Sequence, residues 1–167
     1  MFYLDRNFDI YKDPCDIRIK GPLFQCDELM APIIRELNLK GYKTVYCCSG
    51  HVCDDVYDEE DIGSLDNANC YIAFIDPINT LIAKGFKLPK GFKFEIPEWD
   101  FEECGYKSII RRNFRLGTPR FIQMLNTSKN LYKWAKELPN ASLDIFSVPL
   151  DASEKAFEYI MSNTTID

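Results

Sequence analysis

The sequence predicts an α+β fold, in which helices pack on a single mixed, largely antiparallel sheet. Hydrophobic residues make up 46% of the 167 residues and aromatic residues 14%, which is enough to build one sizeable core. Runs of β-forming residues come in pairs with helical patterns between the pairs, unlike the strict alternation of a parallel α/β fold. Because no repeat or linker divides the chain, we expect residues 1–167 to form one domain.

The first quarter of the chain is predicted to hold two strands and a helix. Residues 7–12 and 16–20 alternate apolar with polar side chains, and an Asp-Pro turn separates them. The helix has two candidate starts, a capping carboxylate at Asp27 or a first turn at Pro32. Its apolar face is followed by Gly41, which is placed to end it.

The middle of the chain predicts two more strands and a short helix. Residues 42–48 are rich in β-forming side chains and lead into a tight turn. Residues 70–75 are nearly all apolar, which is typical of a central strand. Residues 78–85 have apolar side chains at helical spacing and end at a glycine.

The last part of the chain is predicted to contain strands at 92–96, 106–114 and 143–150 and two helices. Thr118 followed by Pro119 is typical of a helix start, a capping hydroxyl and then a proline. Apolar side chains at helical spacing are expected to form the inner face of this helix: Phe121, Ile122, Leu125, Leu131, Trp134, Ala135 and Leu138. A capping box begins the final helix.

Location is predicted from the absence of targeting and membrane signals. No apolar run approaches the roughly 20 residues that span a bilayer, so no membrane partner is expected. Residues 1–6 already contain an acid and lack the basic-then-apolar layout of a signal peptide, which indicates a cytoplasmic protein. In that reducing compartment the seven cysteines are expected to be free thiols, mostly buried.

Charge is distributed unevenly along the chain, whose net charge is −6. Residues 54–61 contain six acids, whereas residues 105–136 contain eight cations and no acid. The acid-free run favours an anionic ligand, while the negative total argues against unspecific binding to duplex DNA. The alternative is a solvated acidic loop and a solvated basic surface without a ligand.

The most distinctive segment, residues 37–51, runs from a helix end through a strand to the turn formed by Cys48, Ser49, Gly50 and His51. The glycine permits a positive φ or a close backbone approach, and the amides around it are suited to an anion-binding nest. The only histidine of the chain, His51, is the one candidate for acid–base chemistry near neutral pH. The alternative is an ordinary turn with a surface histidine.

The same segment resembles a family of small, poorly characterised proteins of bacteria and their phages, built on a helix, Gly-Tyr-x-Thr and Cys-Ser-Gly-His. It is similar, more faintly, to the Ser-Cys-Ser-Gly-Arg segment of the tRNA wybutosine-synthesis methyltransferase family. There the turn belongs to a site that handles S-adenosylmethionine and tRNA. The likeness covers about 15 residues, with His51 in place of the arginine and Cys47 in place of the first serine. The resemblance implies that the turn is a site.

Cysteine ligation of zinc is a further alternative. Cys47 or Cys48, His51 and Cys53 offer soft ligands at short spacing, and a tetrahedral set would be completed by Cys70 or Cys26. The chain has no Cys-x-x-Cys pair, however, and successive strand residues point apart. We therefore predict no metal and no other cofactor.

A second candidate segment delivers arginines from a strand to a helix start: Arg112, Arg115, Thr118 and Arg120. Helix N-termini present unpaired amides and a positive dipole end, which favour phosphate or carboxylate. Guanidinium groups add charge-assisted hydrogen bonds. The alternative is a set of exposed strand cations beside an ordinary helix cap.

Together these features predict binding, or sequestration, of a small anionic, nucleotide-like ligand between the turn and the arginine segment, as phage-encoded sequestering proteins bind signalling nucleotides. Tyr46, Tyr71 and Phe114 are available for stacking. No complete catalytic set is recognised, so no catalytic residue is assigned. Two alternatives are a methyltransferase-like enzyme acting on a nucleotide or RNA through His51, and an interaction protein that docks through the acidic loop 54–61.

Overall fold

The computed structural model describes residues 1–19, 21–50, 68–76, 78, 81, 84–97, 105–115 and 117–141. Within them lie seven strands and two helices, which confirms the α+β class. The strands are β1 (Phe2–Leu4), β2 (Ile10–Tyr11), β3 (Phe24–Cys26), β4 (Thr44–Cys48), β5 (Asn69–Phe74), β6 (Lys93–Glu95) and β7 (Ser108–Asn113). The helices are α1 (Ala31–Leu39) and α2 (Arg120–Glu137).

Several predictions lie outside the described residues. They are His51, the acidic loop 54–61, half of the short helix at 78–85, the strand at 143–150 and the final helix.

The described strands form two antiparallel sheets, so the expectation of a single sheet is corrected. One sheet has the order β2-β1-β3 and the other the order β4-β5-β7-β6. The sheets separate because the three N-terminal strands pair with one another, and α1 then intervenes before β4. In the larger sheet β5 lies between β4 and β7, as expected of a central strand.

The N-terminal strands differ from the prediction because aspartate side chains fold the chain into tight turns. The Asp5 carboxylate accepts the amides of Asn7 and Asp9 at 2.8 and 3.1 Å and the hydroxyl of Tyr11 at 3.0 Å. This turn brings β2 back beside β1. The predicted strand at 16–20 is absent from residues 16–19, which contain a turn at 17–18, since short polar side chains compete with sheet hydrogen bonds for nearby amides.

The core lies where the two helices pack on the larger sheet and on the inner side of the smaller one. Its fully buried side chains come from every layer: Leu4, Ile33, Ile34, Leu37, Ile72, Phe74, Ile110 and Leu131. The C-terminal ends of the helices meet through Lys40, whose Nζ donates to the carbonyl oxygens of Ala135, Lys136 and Leu138 at 2.8, 2.6 and 2.7 Å. Neither described helix is long and apolar enough to cross a bilayer.

Helix α2 buries a different face in its first half from the one predicted. Phe121 and Ile122 are 64% and 48% exposed, whereas Gln123 and Thr127 are buried. The helix begins at Arg120, so Thr118 does not cap it. In the second half the prediction is confirmed, because its four inner residues are buried: Leu131, Trp134, Ala135 and Leu138.

Candidate functional site

The turn after β4 and the arginine segment after β7, the two predicted halves of the site, begin at the same edge of the larger sheet. Strand β5 pairs antiparallel with both β4 and β7, so β4 and β7 run in the same direction. Consequently Ser49 and Gly50, which follow β4, lie at the same edge as Phe114 and Arg115, which follow β7. The Phe114 amide donates to the Ala68 carbonyl at 2.9 Å and extends the β5–β7 ladder to this edge.

Contact between Gly50 and Phe114 joins the two halves. Gly50 is buried with a φ of 97°, a conformation that side chains rarely adopt. A Cβ built on Gly50 would overlap the ring atoms Cε2 and Cζ of Phe114, so the ring occupies the space that any other residue would need. The positive φ and the close approach that the sequence indicated at Gly50 are both present.

An internal carboxylate engages the backbone of the turn. The Ser49 amide donates to Asp27 Oδ2 at 3.0 Å, and the Met30 amide donates to Asp27 Oδ1 at 3.0 Å. The Gly50 amide donates to Cys48 Sγ at 3.3 Å, and Ser49 itself is only 2% exposed. The amides of Ser49 and Gly50, considered for an anion nest, therefore have acceptors within the protein.

The three predicted arginines do not all lie at the same place. Half-buried Arg112 packs against Gly91 and donates from Nη1 to the Lys90 carbonyl at 3.4 Å, toward the turn that precedes β6. Arg115 is exposed, and Arg120 is half-buried as the first residue of α2. Of the predicted arginines, Arg115 is therefore the one that the chain presents directly beside the Gly50–Phe114 contact.

Gln123 is a positioning residue of this edge that the sequence prediction missed. It is 7% exposed; its Oε1 accepts the Arg115 amide, and its Nε2 donates to the carbonyls of Arg115 and Thr118. A signal for it was present: steps of four residues back from Leu131 reach Thr127 and then Gln123, both buried. The glutamine fastens the segment after β7 to the first turn of α2.

The face of the larger sheet opposite the core presents aromatic and basic side chains. Tyr71 lies opposite both Cys48 and Arg111 in the ladders, and Lys93 lies opposite Arg111, so a row of four residues crosses this face. The Arg111 guanidinium carbon is 6.0 Å from the Tyr71 ring centroid. Tyr46, two residues before Cys48, is 51% exposed. Tyr46 and Tyr71 are thus on the outer face, whereas the Phe114 ring packs on Gly50.

The five cysteines that the structure describes carry free thiols, as predicted for most of the seven. Burial raises the pKa of Cys70, and the hydrogen bond to Cys26, together with burial, raises the pKa of Cys47. Among the described residues, no three histidine, cysteine or acidic side chains are arranged to hold a metal ion. The zinc alternative also involves His51 and Cys53, which lie outside those residues.

No protein-family model, curated protein or solved structure matches the chain. The resemblance of residues 37–51 to a bacterial and phage family, and the fainter one to the tRNA methyltransferases, stay predictions. Function is therefore inferred from the geometry of the edge where β4 and β7 end.

Proposed function

We propose that the protein binds a small anionic, nucleotide-like ligand at the sheet edge where β4 and β7 end. The observation that supports this most is the packing of Phe114 on Gly50. It makes neighbours of two segments that the sequence singled out for separate reasons, the Cys-Ser-Gly-His turn and the arginine-rich helix start.

Positive charge at this edge supports an anionic ligand. Arg115 is exposed there, and α2 begins five residues later with Arg120 and no acid in its first turn. The partial positive charge of the helix N-terminus is therefore reinforced by cations and not offset by a carboxylate of the first turn. Among the described residues, the acid that contacts the turn is Asp27, and its carboxylate already accepts the amides of Met30 and Ser49.

Aromatic side chains near the same edge support a ligand with a base. Tyr71 belongs to the row that includes Cys48, the last residue before the turn, and Tyr46 lies on the same strand as Cys48. Tyrosine rings bury large area at low entropic cost and stack on planar heterocycles. Arg111 beside Tyr71 adds a planar cation to this face, where its Nε also lies 3.5 Å from Glu95 Oε2.

Binding without turnover fits these residues best, because they supply charge and stacking surface but no nucleophile paired with a base. The protein would then hold the ligand as a sequestering protein of bacteria or phages does. His51 lies outside the described residues, and from the sequence we propose it as a further contact to the anion. Because only a protonated imidazole carries positive charge, this proposed contact should matter more at low pH.

Titration calorimetry with mononucleotides, cyclic dinucleotides and inorganic phosphate tests the proposal. Arg115→Ala should weaken binding of the best ligand roughly ten- to a hundredfold, the effect of losing one charged hydrogen bond. Lys129→Ala is the matched control, because Lys129 is an exposed cation of the same acid-free run more than two turns along α2. His51→Ala should weaken binding more at pH 5.5 than at pH 8.

Three results would contradict the proposal. The first is an absence of binding across the panel; the second is equal losses for Arg115→Ala and Lys129→Ala in folded proteins. The third is conversion of a nucleotide or RNA to product, which would favour the enzyme alternative. Chromatography of the ligand recovered after incubation detects such conversion.

A further inference from the structure

Two cysteines from different sheets meet in the interior beside the candidate site. Cys26 ends β3 of the smaller sheet, and Cys47 lies in β4 of the larger one. Their sulfur atoms are 3.5 Å apart, and the two residues are separated by 21 positions along the chain. Cys26 is buried, and Cys47 is half-buried against the same core. The pair thus joins two sheets whose neighbouring chain ends are also linked by the hydrogen bond from the Ser49 amide to Asp27.

The separation of the sulfurs is close to what a disulfide requires. A disulfide bond is about 2.05 Å long, so the sulfurs need to approach by roughly 1.5 Å. The two side chains already point toward each other, since one thiol hydrogen-bonds to the other sulfur. Side-chain rotation of the two cysteines supplies an approach of this size more readily than movement of two paired strands.

We propose that Cys26 and Cys47 form a thiol modification site that closes into a reversible disulfide and links the two sheets. The reaction removes two electrons and two protons from the pair. With an azodicarboxamide as oxidant, the Cys47 thiolate adds to the N=N bond, the Cys26 thiolate then attacks the Cys47 sulfur, and the hydrazine leaves with both protons. A dithiol reductant reverses the reaction by exchange.

The environment distinguishes this pair from the other described cysteines. Cys15 is exposed, Cys70 is buried, and the Cys48 sulfur accepts the Gly50 amide. The raised pKa of Cys47 keeps its thiolate population low, so the pair is slow toward reagents that modify one thiol at a time. A disulfide forms selectively at this pair because the two sulfurs are close, so that the attack of Cys26 on the oxidised Cys47 sulfur is intramolecular. A monofunctional alkylating agent should therefore modify Cys15 before Cys47.

Closure of the bond should stabilise the fold, because it would restrain a loop that contains all of α1. Loops of about 15 to 25 residues are the range in which a disulfide removes substantial entropy from the unfolded chain. For a protein of this size the expected rise in Tm is about 5–10 °C. This expectation does not depend on the proposed ligand.

The test is oxidation of the folded, full-length protein with azodicarboxamide, followed by digestion without reductant and mass spectrometry. The expected product is a peptide pair joined through Cys26 and Cys47, which separates on addition of dithiothreitol. Cys15→Ser should form the same link and show the same rise in Tm, whereas Cys47→Ser should show neither. Circular dichroism confirms that the oxidised protein is folded.

Three outcomes would overturn the proposal: thiols that all stay free after oxidation, a dominant link through another pair of cysteines, or a Cys26–Cys47 link seen only in unfolded protein. Each is read from wild-type protein, so the test does not require that a cysteine variant folds. None of them bears on whether a nucleotide binds at the sheet edge.

Discussion

The side chain of Gln123 satisfies both backbone polar groups of Arg115. Its Oε1 lies 2.9 Å from the Arg115 nitrogen, and its Nε2 lies 2.8 Å from the Arg115 carbonyl oxygen. The same Nε2 lies 3.0 Å from the Thr118 carbonyl oxygen. One buried side-chain amide therefore holds the connection between β7 and α2 in a fixed shape and fixes the position of the Arg115 backbone.

Replacement of Gln123 by leucine should destabilise the protein by about 1–3 kcal/mol, because the polar groups it satisfied would lose their partners. Binding of the proposed ligand should weaken as well, since the Arg115 backbone would lose its hydrogen bonds to Gln123. Gln25→Leu is the matched control: Gln25 is exposed on β3, and its change should stay within about 0.5 kcal/mol. Urea denaturation measures the free energy of unfolding of the two variants. Equal destabilisation by Gln123→Leu and Gln25→Leu would contradict the role given to Gln123.

Gly50→Ala should destabilise the protein more than the same change at Gly117. Both glycines have a positive φ, at 97° and 79°, so both substitutions incur a strain of about 1–2 kcal/mol. At Gly50 the new methyl group would meet the Phe114 ring, whereas no atom of the described residues lies within 4 Å of a Cβ built at Gly117. Overpacking should add about 1–3 kcal/mol at Gly50.

A second variant tests whether the added cost at Gly50 comes from Phe114. In the Phe114→Leu background, Gly50→Ala should lose most of its excess cost over Gly117→Ala, because the smaller side chain leaves room for the methyl group. Denaturant melts of the four proteins in this cycle provide the coupling energy. Strict additivity would mean that the ring is not the obstacle.

Lys40→Met should destabilise the protein by about 1.5–3 kcal/mol, the usual effect of losing hydrogen bonds to a charged group. Lys40 is 14% exposed, and its ammonium group donates to three carbonyls at the C-terminal end of α2. Lys133→Met serves as control, because the Lys133 side chain is 78% exposed and forms a loose ion pair with Glu137 at 3.8 Å. Its loss should be at most about 0.5 kcal/mol by thermal melting.

Stability should fall at acid pH partly through Asp5. Burial raises the pKa of Asp5, but hydrogen bonds from the amides of Asn7 and Asp9 and from the hydroxyl of Tyr11 lower it by more. The pKa of Asp5 therefore lies below its ordinary value. A carboxyl group with a lowered pKa in the folded state stabilises the protein above the unfolded pKa and loses that effect as pH falls through the folded pKa. The loss should therefore begin near pH 4 and continue below it.

Asp5→Asn removes this titration. The variant should be less stable than wild type at pH 7, and its free energy of unfolding should change less between pH 5 and pH 2.5. Urea melts across that range measure the slope for both proteins. Parallel slopes would show that Asp5 does not contribute to the acid sensitivity.

Local sequence patterns were sufficient for the fold class and for several elements. The four predicted strands at 42–48, 70–75, 92–96 and 106–114 each coincide, to within one or a few residues, with a strand of the larger sheet. Runs of β-forming residues of that length leave a clear signal. Glycine at position 50 indicated a positive φ or a close approach, since few other residues tolerate either. These properties depend on neighbours in the chain, so the sequence by itself determined them.

Only the tertiary structure decided which segments meet. The separation into two sheets depends on strands of two or three residues, too short for a periodic signal, that pair because Asp5 shapes the turn between them. The Ser49 amide donates to Asp27 instead of remaining open to an anion, and Phe114 packs on Gly50. These contacts join residues far apart in the chain, and local preference does not specify such partners because register and helix rotation select them.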